Sequence, residues 1–484
     1  MATPFPVLDD PLPDNTTLPA FMVSTQRGFL PRMDPIISLP AEFAPLESLL
    51  QRMPIRTAAG TPGLLATGSL GHAVDAELPD LTPLVEQYSA NLPLMNALYR
   101  DYSFLASAYL LEPCHLRFVK GEPYGLGRQI LPANIARPIS RVAEICDFKP
   151  FMEYAGSYAL FNYRLLDPSA GLDPSNLRLI RAFEHGHDPS SSEAGFVLVH
   201  VDMARHSGSL VSAVLSALSS TPSSSRTAFN TSLASMLSSL QTINATMETM
   251  WTRSRPREYT AFRTFIFGIT AQSMFPHGVI YEGISADKKS FRGESGANDS
   301  IIPLVDNFLA IPMPDTPLTQ ILADFRAYRP SNHRAFLEWV RTAVLSLRLK
   351  EWALFGGDDG DDTEEEKEEE ETKKETRRLW LALLDQVRDF RWRHWCFARE
   401  YILKQTKHPT ATGGSPIVTW LPNQLQAVLA EMEALHGRFV ADGDGGSLGK
   451  ATDEIMDRAR RQSEMLRKEV TKFCAERGVM VHHH

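Results

Sequence analysis

The sequence lacks an excess of positive charge. Its 49 Lys and Arg residues stand against 58 Asp and Glu, which gives a formal net charge of −9. Residues 358–375 hold twelve acidic residues and three lysines, so the rest of the chain has 46 residues of each sign. Because a phosphate backbone is held by a basic surface, we expect no nucleic-acid partner. The acidity belongs to one segment and not to the whole protein.

Long apolar runs and paired cysteines are also missing. No run approaches the roughly 18 residues that a membrane span needs, so no membrane partner is expected. Residues 1–10 carry two acids and no basic cluster, which argues against a secretory signal. The four cysteines lie far apart, at Cys114, Cys146, Cys396 and Cys474. Such spacing is typical of reduced thiols in a cytoplasmic protein.

Alternating strand patterns are scarce, and no repeat recurs at solenoid periods. Apolar residues instead recur at three- and four-residue steps over many segments, which predicts a mainly α-helical protein. The predicted helices cover residues 80–111, 138–146, 196–218, 227–251, 301–311, 318–328, 333–349, 376–404, 417–438 and 451–476. A further apolar stretch follows Pro256, over residues 259–270.

The length of the chain predicts two or three domains. Pro150 follows a short polar break and marks a plausible boundary, which gives a small helical domain over residues 1–150. A larger helical domain is expected over residues 151–440, with a linker and helical extension over residues 441–484. The final three histidines look like the remnant of a purification tag and carry no inference.

The familiar catalytic motifs are absent: the sequence has no HExxH, no GxGxxG after a strand, no phosphate-binding loop and no GxSxG. Polar residues inside apolar patterns are therefore the candidates. His394 and Arg391 share one face of the predicted helix 376–404 with Val387, Phe390 and Phe397. A buried imidazole needs a partner for its ring nitrogens, such as a haem iron or a backbone carbonyl. Both readings stay open on the pattern alone.

Two more polar residues stand in apolar runs. Arg263 lies within residues 259–268, and an arginine there needs an anion, either an internal carboxylate or the carboxylate of a substrate. His200 lies within residues 196–202 and is either a hydrogen-bonded core histidine or a ligand-facing one. Cys396 points away from the His394 face, which weakens it as a rival thiolate ligand.

Six separated segments resemble, in the same order, the indoleamine 2,3-dioxygenase family of haem dioxygenases. They are residues 130–138 (ILPANIARP), 195–200 (GFVLVH), 278–283 (GVIYEG), 324–334 (DFRAYRPSNHR), 394–403 (HWCFAREYIL) and 412–415 (TGGS). Order and spacing match from about Gly125 to Met432, and the first hundred residues match loosely.

The resemblance implies an all-α fold in which a small N-terminal domain covers a haem b held by a larger C-terminal domain. His394 takes the position of the iron ligand, Arg391 that of the arginine that pairs with a haem propionate, and Asp306 that of a nearby acid. Arg263 matches the arginine that receives the carboxylate of an amino-acid substrate.

The resemblance also places a substrate pocket. Tyr259 matches an aromatic residue that lines it, and Phe196 and His200 fall on its distal wall. Ser295 and Gly296 match the loop over the haem edge. Thr412 matches a residue of a mobile glycine loop that closes on the ammonium group of the substrate and on a haem propionate.

The implied reaction inserts O2 across the C2–C3 bond of an indole, which converts tryptophan or a derivative to an N-formylkynurenine-type product without a separate general base. The implied partners are O2 and a small indole, with a monomer expected. Two alternatives stay open: a divergent haem paralogue of secondary metabolism that adds one oxygen or acts on another indole, and a non-catalytic haem- or tryptophan-binding module.

Two departures from the family pattern bear on the substrate. The family loop usually reads GGSAGQSS, whereas residues 293–300 read GESGANDS. Glu258 stands where the family usually has a second aromatic residue beside Tyr259. Because a carboxylate near a substrate carboxylate is repulsive, either Glu258 points away or the substrate differs.

Two segments exceed the family core. The acidic composition around residues 358–375 predicts a disordered insertion over residues 356–376, with a partner-binding segment as the alternative. The helix predicted near the C-terminus is expected to be a loose amphipathic tail, with an oligomer contact as the alternative.

Overall fold

The computed structural model describes residues 4–186, 188–220, 225–313, 317–356, 364–406, 408, 410–442 and 448–478, with side chains from residue 368 onward in the helix that begins at Glu364. Helices dominate this part of the chain, which confirms the predicted all-α class.

Six α-helices precede Pro150 in the described part of the chain: α1 (Ala44–Arg52), α2 (Leu64–Thr67), α3 (Leu70–Glu77), α4 (Thr82–Gln87), α5 (Leu92–Val119) and α6 (Ala133–Cys146). α5 is buried along most of its length and forms the centre of this half. The single helix predicted for residues 80–111 was wrong, because the chain turns between α4 and α5. Asn91 begins α5 by accepting a hydrogen bond from the Leu94 N–H with its side chain.

Five helices lead into the candidate site: α7 (Ser192–Ala204), α8 (Ser207–Ser219), α9 (Arg226–Glu248), α10 (Met250–Arg253) and α11 (Pro256–Arg263). The single helix predicted over residues 196–218 was also wrong, since α7 ends at Ala204. The Ser207 hydroxyl donates to the Ala204 carbonyl at 2.5 Å and accepts from the Phe29 N–H at 2.9 Å, which fixes the break between α7 and α8.

The remaining helices are α12 (Ile301–Phe308), α13 (Pro317–Arg326), α14 (Ser331–Ser346), α15 (Leu349–Phe355), α16 (Glu364–Phe397), α17 (Ile417–Ala441) and α18 (Lys450–Arg477). A π-helix, Ala398–Leu403, continues α16. α16 buries Trp380, Leu384 and Val387, three- and four-residue steps apart, against neighbouring helices.

Two small sheets complete the fold of the described residues. β1 (Ile130–Leu131) pairs in parallel with β4 (Val279–Tyr281), which pairs antiparallel with β5 (Ser285–Lys289). β2 (Tyr163–Leu165) pairs antiparallel with β3 (Leu177–Leu179). The β1–β4 pairing crosses the predicted boundary at Pro150, and buried side chains from both sides of it form one continuous cluster. The division into two domains stays a prediction.

The predicted disorder of residues 356–376 was wrong for its second part, because α16 already includes residues 364–376. Asn230 of α9 donates to the Thr372 carbonyl at 2.9 Å and accepts from the Thr376 hydroxyl at 2.7 Å. Arg378 pairs with Glu371 and Glu375. The tract is therefore tied to the helix pair α9–α16 at this end. Residues 357–363 lie outside the described residues.

The prediction of a loose C-terminal tail was wrong as well. α18 buries Met456, Leu466 and Phe473 and packs on α16 and α17. The linker residues 443–447 and the three terminal histidines lie outside the described residues. Among the described helices none combines the length and the apolarity needed to cross a membrane.

Candidate functional site

Two cavities meet at His394. The arginine-lined cavity has a volume of about 400 Å³ and is bordered by Arg326, Arg329, Arg334, Arg341 and Arg391. The aromatic cavity has a volume of about 140 Å³ and is bordered by Phe196, His200, Tyr259, Phe397 and Tyr401. Both cavities are lined by the same six residues where they meet: Gly296, Asp299, Phe390, His394, Trp420 and Leu421. The histidine singled out by the sequence thus stands between a cationic space and an aromatic one.

His394 is held near the end of α16 with its imidazole in this junction. Burial, together with a smaller effect of His200 across the aromatic cavity, lowers its pKa to about 4. The ring is therefore neutral at physiological pH, the form in which imidazole ligates a metal. Within the described part of the chain no hydrogen bond or ion pair engages the ring. The open alternative of a histidine bonded to a backbone carbonyl is therefore not the observed arrangement.

Arg391 and Asp306 form an ion pair beside this histidine. Arg391 Nη2 donates to Asp306 Oδ2 at 2.7 Å, and both residues line the arginine-lined cavity. The other guanidinium nitrogen, Arg391 Nη1, and the other carboxylate oxygen, Asp306 Oδ1, are buried without a partner among the described residues. Burial raises the pKa of Asp306, although Arg391 opposes the rise. Arg391 therefore keeps an N–H group free for a ligand anion.

His200 forms one wall of the aromatic cavity. Its Nδ1 lies 2.8 Å from the Phe196 carbonyl oxygen, and since a carbonyl only accepts, Nδ1 carries the proton. Nε2 is then an acceptor. The ring packs edge-on against Phe196 and Tyr154 at centroid distances of 5.0 and 5.6 Å. Burial lowers the pKa of His200, so it stays neutral and keeps one nitrogen for an N–H donor.

A glycine loop closes the aromatic cavity. The Thr412 hydroxyl donates to the Glu294 carbonyl at 2.8 Å, and the Gly268 N–H donates to the Thr412 carbonyl at 2.9 Å. Gly414 has a φ of +85°, which a residue with a side chain rarely adopts. Ser295 and Gly296 line the cavity on the facing loop. The two loops predicted from the sequence are therefore in direct contact.

Arg263 lies behind this wall and does not border either cavity. Its Nη2 donates to the Thr410 carbonyl at 3.0 Å, and its guanidinium stacks over Phe267 at 4.6 Å. Nε and Nη1 are buried without a hydrogen-bond partner among the described residues, which also offer it no Asp or Glu within ion-pair distance. The internal carboxylate considered from the sequence is therefore not found. Tyr259, which feels the Arg263 charge, separates it from the cavity.

The two carboxylates of this region differ in placement. Glu258 points away from the cavity: it accepts from the Ser192 hydroxyl at 2.5 Å and pairs with Arg255 at 2.8 Å, with its side chain 41 % exposed. Glu294 borders the aromatic cavity and is 3 % exposed. Glu294 is a site residue that was not predicted from the sequence, although its place in the altered loop at residues 293–300 was a usable signal.

The residues around both cavities fit a haem. A neutral imidazole stands at the junction, and a guanidinium N–H with no protein partner borders the larger cavity. A haem offers an iron for the first and a propionate for the second. Among the described residues no cluster of three or more His, Cys, Asp or Glu could hold a metal ion directly, which is consistent with iron held by one protein ligand.

Comparisons with known proteins agree with the geometry. The family model described as indoleamine 2,3-dioxygenase matches residues 17–447. Human indoleamine 2,3-dioxygenase 2 is 24% identical over 344 residues, which cover 71% of this chain and 77% of the human protein. Indoleamine 2,3-dioxygenase nanC of Aspergillus nanangensis is 26% identical over 336 residues, 67% of this chain and 76% of that protein.

The indoleamine 2,3-dioxygenase of Saccharomyces cerevisiae is 25% identical over 347 residues, 68% of this chain and 70% of the yeast protein. The family match covers most of the described helices and both loops of the site. The chain therefore belongs to the indoleamine 2,3-dioxygenase family, whose members are haem-iron-dependent oxidoreductases that cleave the indole ring.

Proposed function

We propose that this chain inserts both atoms of O2 across the indole C2–C3 bond of tryptophan or a close derivative, giving an N-formylkynurenine-type product. The observation that carries the proposal is the position of His394, a neutral imidazole without a protein partner in the described structure, between an arginine-lined and an aromatic cavity. One cavity suits the propionate side of a haem and the other suits an aromatic substrate.

The haem would be held by three residues. His394 would ligate the iron, and Arg391, oriented by Asp306, would donate its free N–H to a propionate. When bound, haem iron supplies the activation of O2, which no amino-acid side chain provides. The protein then needs to bind, orient and shield the substrate.

The indole would be oriented by the aromatic cavity. Phe196 and Tyr259 offer apolar faces, with ring centroids 5.3 Å apart, and the His200 Nε2 acceptor suits the indole N–H. Thr412 and the Ser295–Gly296 loop would close over the ring and exclude water. No described residue of the cavity is required to act as a general base.

Arg263 would receive a substrate carboxylate. Its two N–H-bearing nitrogens without protein partners support this role. Because Tyr259 and the Thr410 carbonyl separate the guanidinium from the cavity, a small movement of the glycine loop or of Tyr259 would accompany binding. We therefore expect the glycine loop to move when a substrate carboxylate binds to Arg263.

The assignment of the iron ligand is tested by His394→Ala. The variant should lose stoichiometric haem and the Soret shift of the ferrous protein with CO. Cys396→Ala is the matched control, because this thiol lies two residues away on the same helix and burial raises its pKa, which disfavours the thiolate. A His394→Ala protein with full haem and an unchanged ligand spectrum would refute the assignment.

A second function is favoured by Glu294. A buried carboxyl stands in the substrate cavity where the family usually has a glycine, and a paralogue of secondary metabolism that acts on another amine-bearing indole would also account for this departure. It could also add a single oxygen atom. Product masses from tryptophan and from a panel of indoles distinguish the two functions.

A further inference from the structure

Glu294 is a buried carboxyl group that borders the aromatic cavity. Its residue surface is 3 % exposed, and its backbone carbonyl, but not its carboxyl, is engaged by Thr412. Within the described part of the chain the carboxyl has no hydrogen-bond donor and no ion pair. Burying a carboxylate without a partner costs free energy, so this side chain is either protonated or ionised in contact with a bound cation.

The other acid of the cavity, Asp299, has internal donors for one of its two carboxylate oxygens, whereas Oδ1 is buried without a partner among the described residues. Asp299 Oδ2 accepts from the Ile301 N–H at 2.8 Å and from the Ile302 N–H at 3.3 Å, at the start of α12. Glu294 receives no such donors, and burial alone raises its pKa to about 8. The two acids border one cavity, but only the Glu294 carboxyl lacks every internal donor among the described residues.

The cavity itself supplies no cation. None of its described lining residues is a lysine or an arginine. Of the two histidines that border it, His200 has its pKa lowered by burial and is neutral at physiological pH, and His394 is the proposed iron ligand. A positive charge that meets Glu294 must therefore enter with the ligand.

Arg263 does not neutralise Glu294 either. Both groups act on the Tyr259 phenol, whose pKa burial raises strongly, with Arg263 opposing that rise and Glu294 adding to it. No ion pair joins the two charges in the described structure. A cation and an anion therefore both lie near Tyr259, and neither has a partner of opposite sign among the described residues, an arrangement that suits a zwitterionic ligand.

We propose that the Glu294 carboxylate selects indoles that carry a protonated amine on the side chain, by accepting hydrogen bonds from the ammonium group. The inference rests on the proposed function, because it takes the aromatic cavity as the substrate pocket. An ammonium compensates the buried carboxylate, whereas a neutral or anionic side chain leaves it unpaired or faces a like charge. Glu294 is therefore a specificity-determining residue that the usual family glycine at this position cannot replace.

The test uses equilibrium binding to the haem-loaded ferric protein, measured by isothermal titration calorimetry. The probes are tryptamine, which carries only the ammonium, and indole-3-propionate, which carries only the carboxylate. Glu294→Gln keeps the side-chain shape and removes the charge. Glu294→Gly restores the usual family residue and serves as a second variant if the glutamine protein folds poorly. Glu258→Gln is the matched control, since Glu258 precedes Tyr259 but points away from the cavity.

Both Glu294 variants should bind tryptamine about tenfold more weakly or worse than the wild type, because a charge-assisted hydrogen bond is lost. Their affinity for indole-3-propionate should stay equal or improve, and Glu258→Gln should match the wild type for both probes. Unchanged tryptamine affinity in the Glu294 variants, or an equal loss for both probes, would overturn the inference. Failure of the proposed function gives a different result: the wild type would then bind none of the indoles in this cavity.

Discussion

Trp395, the residue after His394, donates its indole N–H to Glu469 Oε2 at 2.6 Å. The other oxygen of this carboxylate accepts from Arg399 at 2.5 Å. Glu469 belongs to α18, which lies beyond the residues that match the family model. The C-terminal helix of this chain thus braces the segment that carries the proposed iron ligand.

Replacing Glu469 should lower the stability of the protein and its affinity for haem. Glu469→Ala leaves the Trp395 N–H and the Arg399 guanidinium without this acceptor, and we expect the free energy of unfolding to fall by about 1–3 kcal/mol. Haem should dissociate faster as well. The exposed Glu464 lies on the same helix, and its replacement by Ala should change stability by less than about 0.5 kcal/mol. Urea unfolding followed by fluorescence and by the Soret band measures both effects. Equal stability of the two variants would show that Glu469 of α18 does not stabilise the segment that carries His394.

Arg391 should matter for haem affinity, whereas Arg393 should not. Arg391→Gln removes the N–H proposed to meet a propionate, and haem transfer to an acceptor protein should become about tenfold faster. Arg393 lies two residues away on α16 and pairs with Glu248 and Asp389, outside both cavities. Arg393→Gln should leave the transfer rate within about twofold of the wild type. Equal rates in the two variants would remove Arg391 from the haem site.

The role proposed for Arg263 is tested by comparing how its replacement changes the KM of two substrates. Arg263→Gln should raise KM roughly 30- to 150-fold for tryptophan, since one charged contact with its carboxylate is lost. Tryptamine lacks that carboxylate, so its KM should change little. Because both substrates are assayed on one protein preparation, partial misfolding cancels in the ratio. The same increase for both substrates would show that Arg263 does not hold a carboxylate.

The raised pKa of Glu294 makes stability depend on pH. Its ordinary pKa is 4.5 and burial raises it to about 8, so between these values the folded protein holds a proton that the unfolded chain releases. Stability should therefore fall as pH rises through this window, by up to about 1.4 kcal/mol per pH unit from this group. Glu294→Gln should make the slope correspondingly less negative.

Other titrating groups face Glu294, and the comparison of variants separates their contributions. His200, His394, Asp299 and Tyr259 border the same cavity and are retained in Glu294→Gln. Glu153, Tyr154 and Tyr158 are retained as well, and because the Glu294 charge raises their pKa values, the variant reports the loss of Glu294 together with its effect on these neighbours. The control, Glu258→Gln, removes a carboxyl group whose pKa is lowered by hydrogen bonds from Ser192 and Arg255. Its contribution to the pH dependence of stability therefore lies at pH values below the ordinary pKa of a glutamate. Its slope between pH 5 and 8 should equal that of the wild type. Urea unfolding of the haem-loaded proteins at several pH values measures the slopes, and identical slopes in all three proteins would contradict the buried state of Glu294.

Much of the site could be expected from the sequence, because helical periodicity places His394 and Arg391 one turn apart on one face. The pairing of Arg391 with Asp306, 85 residues away, came from the family resemblance, since periodicity carries no information on long-range contacts. The direction in which the Glu258 side chain points could not be predicted from the sequence either. It depends on Ser192 and Arg255, and with Glu258 turned away, Glu294 is the acid of the cavity whose carboxyl has no internal donor among the described residues.

Composition misled in two places where tertiary contacts decide the structure. The acidic tract was expected to be disordered up to residue 376, yet Asn230 binds Thr372 and Thr376 and extends α16 into it. The polar pattern of α18 suggested a loose tail, yet its sparse apolar positions and Glu469 meet α16. In both cases a few specific partners outweigh the average polarity of the segment.

The central claim is that this chain places an indole beside a haem held by His394 and adds both atoms of O2 to it. The most direct measurement is mass spectrometry of the aerobic, reductant-supplied reaction of the haem-loaded protein with L-tryptophan under isotope-labelled O2. The account predicts an N-formylkynurenine-type product that carries two labelled oxygen atoms. A product with one labelled oxygen, or unaltered tryptophan in the presence of stoichiometric haem and saturating substrate, would contradict it.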